Sequence, residues 1–172
     1  MITANKILID AFERISEEVH ASLAQLSNED LIYQPTKNSN SIAWLVWHLT
    51  RVQDSQIAGL INGKQVWEDG WYEKFNLPFD IKATGYGQNS KDVSRVKPSL
   101  DLLSGYYNQV HLRTVQYLAK LKDSDYSEIV DTRWDPPVSL ATRLISTISD
   151  DLQHIGQVAY IKGLLKDQKS KN

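Results

Sequence analysis

The chain has 172 residues, enough for one domain to bury most of its apolar surface in a single core, and its 41% apolar content is ordinary for a globular protein. A net charge of −2, with both signs mixed along the chain, leaves no basic stripe of the kind that nucleic-acid binding needs. Cysteine is absent, which excludes disulfides, thiolate metal sites and cysteine nucleophiles, so any thiol chemistry here requires a thiol supplied from outside.

The opening stretch Met1 to Lys6 lacks the charged region and apolar run of a signal peptide, and no segment reaches the roughly 20 apolar residues of a membrane span. A cytoplasmic protein with no membrane partner is expected. A first helix is predicted from about Asn5 to Leu26, where Ile7, Ala11, Phe12, Ile15, Val19 and Leu23 recur at three- and four-residue steps. Ser27 to Asp30 resembles a capping box opening a short turn that Pro35 stops. The second helix begins after Asn38-Ser39-Asn40 and runs to Asn62-Gly63, with Ile42, Leu45, Leu49, Val52 and Leu60 as its stripe.

From Gly63 to Lys97 the periodicity breaks. Trp67, Trp71, Phe75, Phe79 and Tyr86 lie among Gly70, Gly85 and Gly87, which reads as a crossover over one end of the fold with a short helix around Trp71 to Phe75. The third helix starts near Pro98-Ser99, with Leu100, Leu103, Tyr107, Val110, Thr114, Tyr117 and Leu121 on its face. A second connection, Lys122 to Pro137, ends in the rigid run Arg133-Trp134-Asp135-Pro136-Pro137. Ser139 caps the fourth helix, where Leu140, Leu144, Ile148, Leu152, Ile155 and Ala159 repeat, and the lysines at 162, 166, 169 and 171 complement its C-terminal dipole. No strand-like alternation of comparable length occurs. Four amphipathic helices with two long connections predict an all-α, four-helix bundle as one domain over residues 1–172.

Function is sought where expensive polar residues interrupt these stripes. His48 lies on or beside the buried face of the second helix. Asp150 and His154 are four apart and project from one face of the fourth, while Asp151 lies closer still to the stripe Ile148–Ile155. Two imidazoles and a carboxylate make a three-ligand metal site with open positions for water or substrate. Gln153 and Gln157 flank the pair and would orient its ligands. The same residues also fit a buried hydrogen-bond network, with His154 donating to Asp150 or Asp151 and His48 satisfied separately. His20 and His111 read as surface or boundary residues.

The stretches Ser41 to Leu49 (Ser-Ile-Ala-Trp-Leu-Val-Trp-His-Leu) and Asp150 to Gln157 (Asp-Asp-Leu-Gln-His-Ile-Gly-Gln) resemble the DinB/YfiT-like superfamily. The chain is most similar to the branch of mycothiol-dependent maleylpyruvate isomerase-like proteins, a likeness that extends to Leu77 to Asp80, Thr84 to Gly87 and Arg133 to Pro137. The resemblance implies an up-down-down-up four-helix bundle, often a homodimer, holding one divalent metal, zinc or nickel, on three histidines. Matched to that pattern, His48 takes the place on the second helix and His154 a place on the last, while the third histidine place falls on Asp150. Asp151 is the rival ligand and is otherwise assigned beside the site as the carboxylate that handles protons.

What the resemblance further implies is a metalloenzyme activity in which a low-molecular-weight thiol is added or transferred to an electrophilic small-molecule substrate. The alternatives are a hydrolase using metal-activated water and a bundle that binds metal or ligand without catalysis. Trp67, Trp71 and Tyr86 are expected to wall the pocket, and Arg133 or Arg143 to receive an anionic group, with an ordinary ion pair as the competing reading for each arginine.

Overall fold

The computed structural model describes residues 2–171. It is mostly helical, with four long helices: α1 (Ala4–Leu23), α3 (Ile42–Leu60), α6 (Leu100–Leu118) and α7 (Leu140–Ser170). Between them lie the short helices α2 (Asn28–Leu31), α4 (Trp71–Phe75) and α5 (Ser90–Val93). α3 packs against both α6 and α7, and α1 packs against the same two, so the four enclose one continuous core. No described helix is long and apolar enough to cross a membrane.

The helix starts follow from capping chemistry. Ser41, Ser99 and Ser139 each accept the backbone N–H of the third residue of the helix they open, and Ser27 with Asp30 forms the expected reciprocal capping box. α1 stops three residues earlier than its periodicity predicts, at Leu23, with Gln25 in the left-handed region. Its buried stripe is Leu8, Phe12, Ile15, Val19 and Leu23, whereas Ile7 is 60% exposed. On α7 the stripe likewise rotates by one position. Asp151 and Val158 are buried where Leu152 and Ala159 were expected, and Leu152 is exposed. An apolar residue one step from the seam passes for part of it, because adjacent helical positions differ by only about 100°.

α3 departs most from an amphipathic helix. Every residue from Ile42 to Asp54 is buried, including His48, Thr50, Arg51, Gln53 and Asp54. The crossover between residues 63 and 97 covers it. Trp67 and Trp71 belong to an aromatic cluster with Phe75 and Tyr106, with Trp67–Phe75 and Trp67–Tyr106 ring centroids 5.0 and 5.2 Å apart. Neither tryptophan walls a pocket, a correction to the expectation for this segment. Trp71 seats instead on Gly105 of α6, where a Cβ would come within 2.9 Å of its ring.

The second connection contains a small antiparallel hairpin, β1 (Ile129–Asp131) with β2 (Val138–Ser139). Elements of two and three residues are too short to show a period in sequence. The hairpin closes a loop that carries Trp134, and Asp131 at its base accepts hydrogen bonds from both Arg133 and Arg143.

Beneath the crossover, Arg51 and Asp54 form a buried network. Arg51 donates from Nε to the Ala83 carbonyl, from Nη2 to the Ile81 carbonyl, and from Nη1 to Gln65 Oε1. Its guanidinium lies 4.7 Å over the Trp67 ring. Asp54 accepts the N–H groups of Val66 and Trp67 and the Tyr106 hydroxyl, and lies 3.7 Å from Arg51. Removing one partner of such a pair strands a buried charge. Asp54→Ala should therefore destabilise the fold by about 3–5 kcal/mol in chemical denaturation, and a loss below 1 kcal/mol would show that the crossover is not anchored this way.

Candidate metal centre

The structure brings together the three residues expected to ligate metal. One ligand atom each from His48, Asp150 and His154 lies within 4.8 Å of the other two. Bonds of about 2.0–2.2 Å to one ion would set such atoms roughly 3–4 Å apart, so closure needs only small side-chain adjustment. α7 supplies two of them because residues four apart stack on successive turns, and α3 presents the third from the facing helix.

His48 is prepared by its surroundings. Its Nδ1 hydrogen-bonds the Thr84 carbonyl, and since a carbonyl can only accept, Nδ1 carries the proton and the lone pair is left on Nε2. Trp44 stacks on the ring with centroids 4.6 Å apart, Tyr86 meets its face edge-on at 5.0 Å, and His154 lies edge-on at 4.7 Å. Burial pushes the His48 pKa below its ordinary value, opposed by the Thr84 hydrogen bond, so the neutral ring that binds metal is favoured.

The close approach depends on Gly85. It has φ +110°, and a Cβ there would stand 2.6 Å from His48 Nδ1 and 3.0 Å from the Trp44 ring. No L side chain fits both constraints.

On α7, His154 Nε2 is 3.7 Å from Asp150 Oδ1, which also accepts a long hydrogen bond of 3.4 Å from the Tyr86 hydroxyl. Burial, then Asp150, raises the Tyr86 pKa, which keeps the phenol a donor. Asp150 Oδ2 and His154 Nδ1 are buried without hydrogen-bond partners. Buried polar atoms left open beside a neutral imidazole are what a cation would satisfy, and the nitrogen–oxygen donor set suits a divalent transition ion. The residues present therefore fit such an ion.

Asp151 does not join the group. It is fully buried on the core face of α7, near Tyr107, and both its carboxyl oxygens lack partners. Burial and then the Asp150 charge push its carboxyl well above the usual range, so it is carried as a neutral acid. A proton-handling role beside the metal is corrected on this geometry: neighbouring helical positions point about 100° apart, which sends Asp151 into the core. Gln153 and Gln157 are exposed rather than behind the ligands, and Gln153 bonds back to Ser149. His20 and His111 lie at the seam of α1 and α6, where His20 meets Asn108 and His111 lies 3.3 Å from Glu13.

Of the three candidate ligands, Asp150 lines a cleft of about 610 Å³. Val52 and Gln56 of α3, Tyr86, Trp134, and Arg143 and Asp150 of α7 line it. Tyr86 takes its expected place on the wall. Arg133 and Arg143 are both engaged with Asp131, the ion pairing that competed with anion binding, although Arg143 also faces the cleft. Trp44 and the Thr84 carbonyl escaped sequence reading as supports of His48. The glycines flanking Tyr86 were the one local sign that backbone approaches closely there.

A mostly helical fold holding a two-histidine, one-carboxylate group beside a cleft defines the class. The family model described as the DinB superfamily matches residues 11–158, and the chain belongs to that superfamily. A crystal structure described as the conserved protein of a locus from Enterococcus faecalis is similar over 94% of this chain and 96% of its own, with a TM-score of 0.88 and 28% sequence identity. No protein of curated function matches the chain.

Two substitutions test the geometry. Gly85→Ala should weaken metal binding by about tenfold or more while the helical circular dichroism survives, because it displaces the ring and carbonyl that orient His48. Asp151→Asn should leave bound metal unchanged and hold or raise thermal stability at neutral pH. Metal lost from a folded Asp151→Asn protein would reassign the carboxylate ligand.

Proposed function

We propose that this DinB superfamily member is a divalent-metal-dependent enzyme that joins a low-molecular-weight thiol to an electrophilic small molecule. The observation that carries the reading is the convergence, beside a cleft that Asp150 lines, of His48, its Nδ1 already committed to Thr84, with Asp150 and His154, whose buried atoms lack partners. Under this reading all three are ligands of one ion, zinc or nickel, and Asp150 stands where the family pattern has a third histidine. The finer architecture we assign is a single-domain, up-down-down-up four-helix bundle over residues 1–172, supported by the ring of packed pairs α1–α6–α3–α7. A place in the mycothiol-dependent isomerase-like branch, a homodimeric assembly and a cytoplasmic location complete the proposal.

When bound, the ion supplies a Lewis acid that lowers the pKa of a coordinated thiol and holds its sulfur beside the acceptor. The chain's own residues do the rest. Thr84 and Trp44 fix the plane of the His48 ring, Tyr86 keeps a hydroxyl proton directed at Asp150, and Val52 with Trp134 excludes water from the acceptor's apolar body. In an addition, sulfur bonds to the electrophilic carbon and the thiol's proton ends on the adjacent atom, so no further reactant is consumed. The thiol must come from solution, since the chain has no cysteine.

Metal analysis of protein without a polyhistidine tag should give close to one equivalent per chain, lost on His48→Ala or His154→Ala with helicity largely kept. Retained metal in both variants would reject the ligands. Protons compete for the imidazoles, and the His48 pKa lies below its ordinary 6.5, so affinity should be level with respect to His48 above that pH and fall as pH drops below it. An electrophilic dye should turn over only when a small thiol is added. Turnover indifferent to thiol would replace the transferase reading with hydrolysis.

A further inference from the structure

Asp150 and Arg143 lie seven residues apart on α7, two helical turns, which places them on nearly the same face with a rise on the order of 10 Å between them. Both line the same cleft, separated along it by that helical rise. We infer that this cleft selects an organic acid: the substrate's acidic group rests on Arg143 while its reacting end lies at Asp150. The assignment rests on the metal-centre reading for which end reacts, but the acid subsite stands on its own geometry.

Arg143 carries more charge than its ion pair uses. Asp131 is already held by the fork of Arg133, with Nε to Oδ1 at 2.9 Å and Nη2 to Oδ2 at 2.8 Å, and it also accepts the Arg133 backbone N–H. A carboxylate satisfied in this way needs no second guanidinium for neutrality, so the three groups together keep one positive charge. Arg143 contributes only Nη2, at 2.7 Å from Asp131 Oδ2. Its Nε and Nη1 make no hydrogen bonds among the described residues, and its side chain is 18% exposed. That hydrogen bond to Asp131 holds the guanidinium in place while leaving donors that match an acidic group.

The remaining lining sets the rest of the ligand. Among the described residues, the one other charged side chain lining the cleft is Asp150, two turns further along α7. Val52, Val138 and the exposed Trp134 and Tyr86 rings lie between and around the two. A flat apolar body with a single acidic end is complementary to that order. A neutral molecule would leave Arg143 unanswered, and a cation would be repelled by it.

Fluorescence titration of the metal-free protein with two matched dyes tests this. Anilinonaphthalene sulfonate carries an acidic group, and phenylnaphthylamine is its neutral counterpart. The sulfonate should bind about tenfold more tightly or better, and less so at high salt. Arg143→Met should remove about that factor for the sulfonate and leave the neutral dye unchanged, Arg143→Lys should keep part of it, and Trp134→Ala should weaken both. Equal affinities in the wild-type protein would overturn the subsite whether or not any variant folds. Sulfonate binding unaffected in a folded Arg143→Met protein, or dyes indifferent to Trp134→Ala, would overturn it too. Since no metal is present, failure of the metal-centre reading would appear as a protein that discriminates the dyes but takes up no ion. Failure of the subsite would appear as one that takes up the ion but does not discriminate.

Discussion

Complete burial of the first two-thirds of α3 leaves its polar side chains in need of partners, and the crossover supplies them for three, in order. His48, Arg51 and Asp54 lie on successive steps of three along one face. They engage the carbonyl of Thr84, the carbonyls of Ile81 and Ala83, and the N–H groups of Val66 and Trp67 respectively. The crossover is thereby stitched along the helix rather than laid over it. A long irregular segment has many unpaired backbone groups, and a buried helix has costly side chains. Each answers the other's need.

The candidate centre is the outermost stitch in that series. The same hydrogen bond that ties Thr84 to α3 chooses the tautomer of His48, and Gly85 is what lets backbone come near enough to make it. The carbonyls below hold the Arg51 guanidinium, which in turn packs on Trp67, so the loop that carries Tyr86 is anchored through the aromatic core as well. The orientation of His48 is a consequence of how the crossover is fastened.

Asp150 and Asp151 show how environment assigns different parts to identical neighbours. Asp150 faces the cleft beside two imidazoles and a phenol, and its charge has a use there. Asp151 faces the core near Tyr107 and is held neutral by burial. A carboxylate beside two imidazoles would leave a divalent ion with one unit less positive charge than three neutral imidazoles would, and an oxygen donor suits a harder ion. At Arg143 the balance reverses, because Asp131 shares its charge between two arginines.

Much of the architecture was legible in the residues. Four long helices, the Ser139 cap, the break after Gly63 and the pairing of Asp150 with His154 all follow from periodicity and local hydrogen bonding, which act over a few residues, whereas the cap of α3 is Ser41 rather than a residue of Asn38 to Asn40. His48 stood out because an imidazole within an apolar run needs a reason. Which of two adjacent carboxylates joined it depended on a helix rotation smaller than the apolar pattern resolves, and Ile7, Leu152 and Ala159 were misplaced for the same cause. The stitching of the crossover, the burial of Trp67 and Trp71 in the core, and the spare charge on Arg143 rest on contacts between residues 12 or more positions apart. Sequence by itself determined the helices and the residue types that could make a metal centre. Tertiary structure alone decided which atoms face one another, because that depends on how irregular chain packs onto a helix it cannot be compared with by spacing.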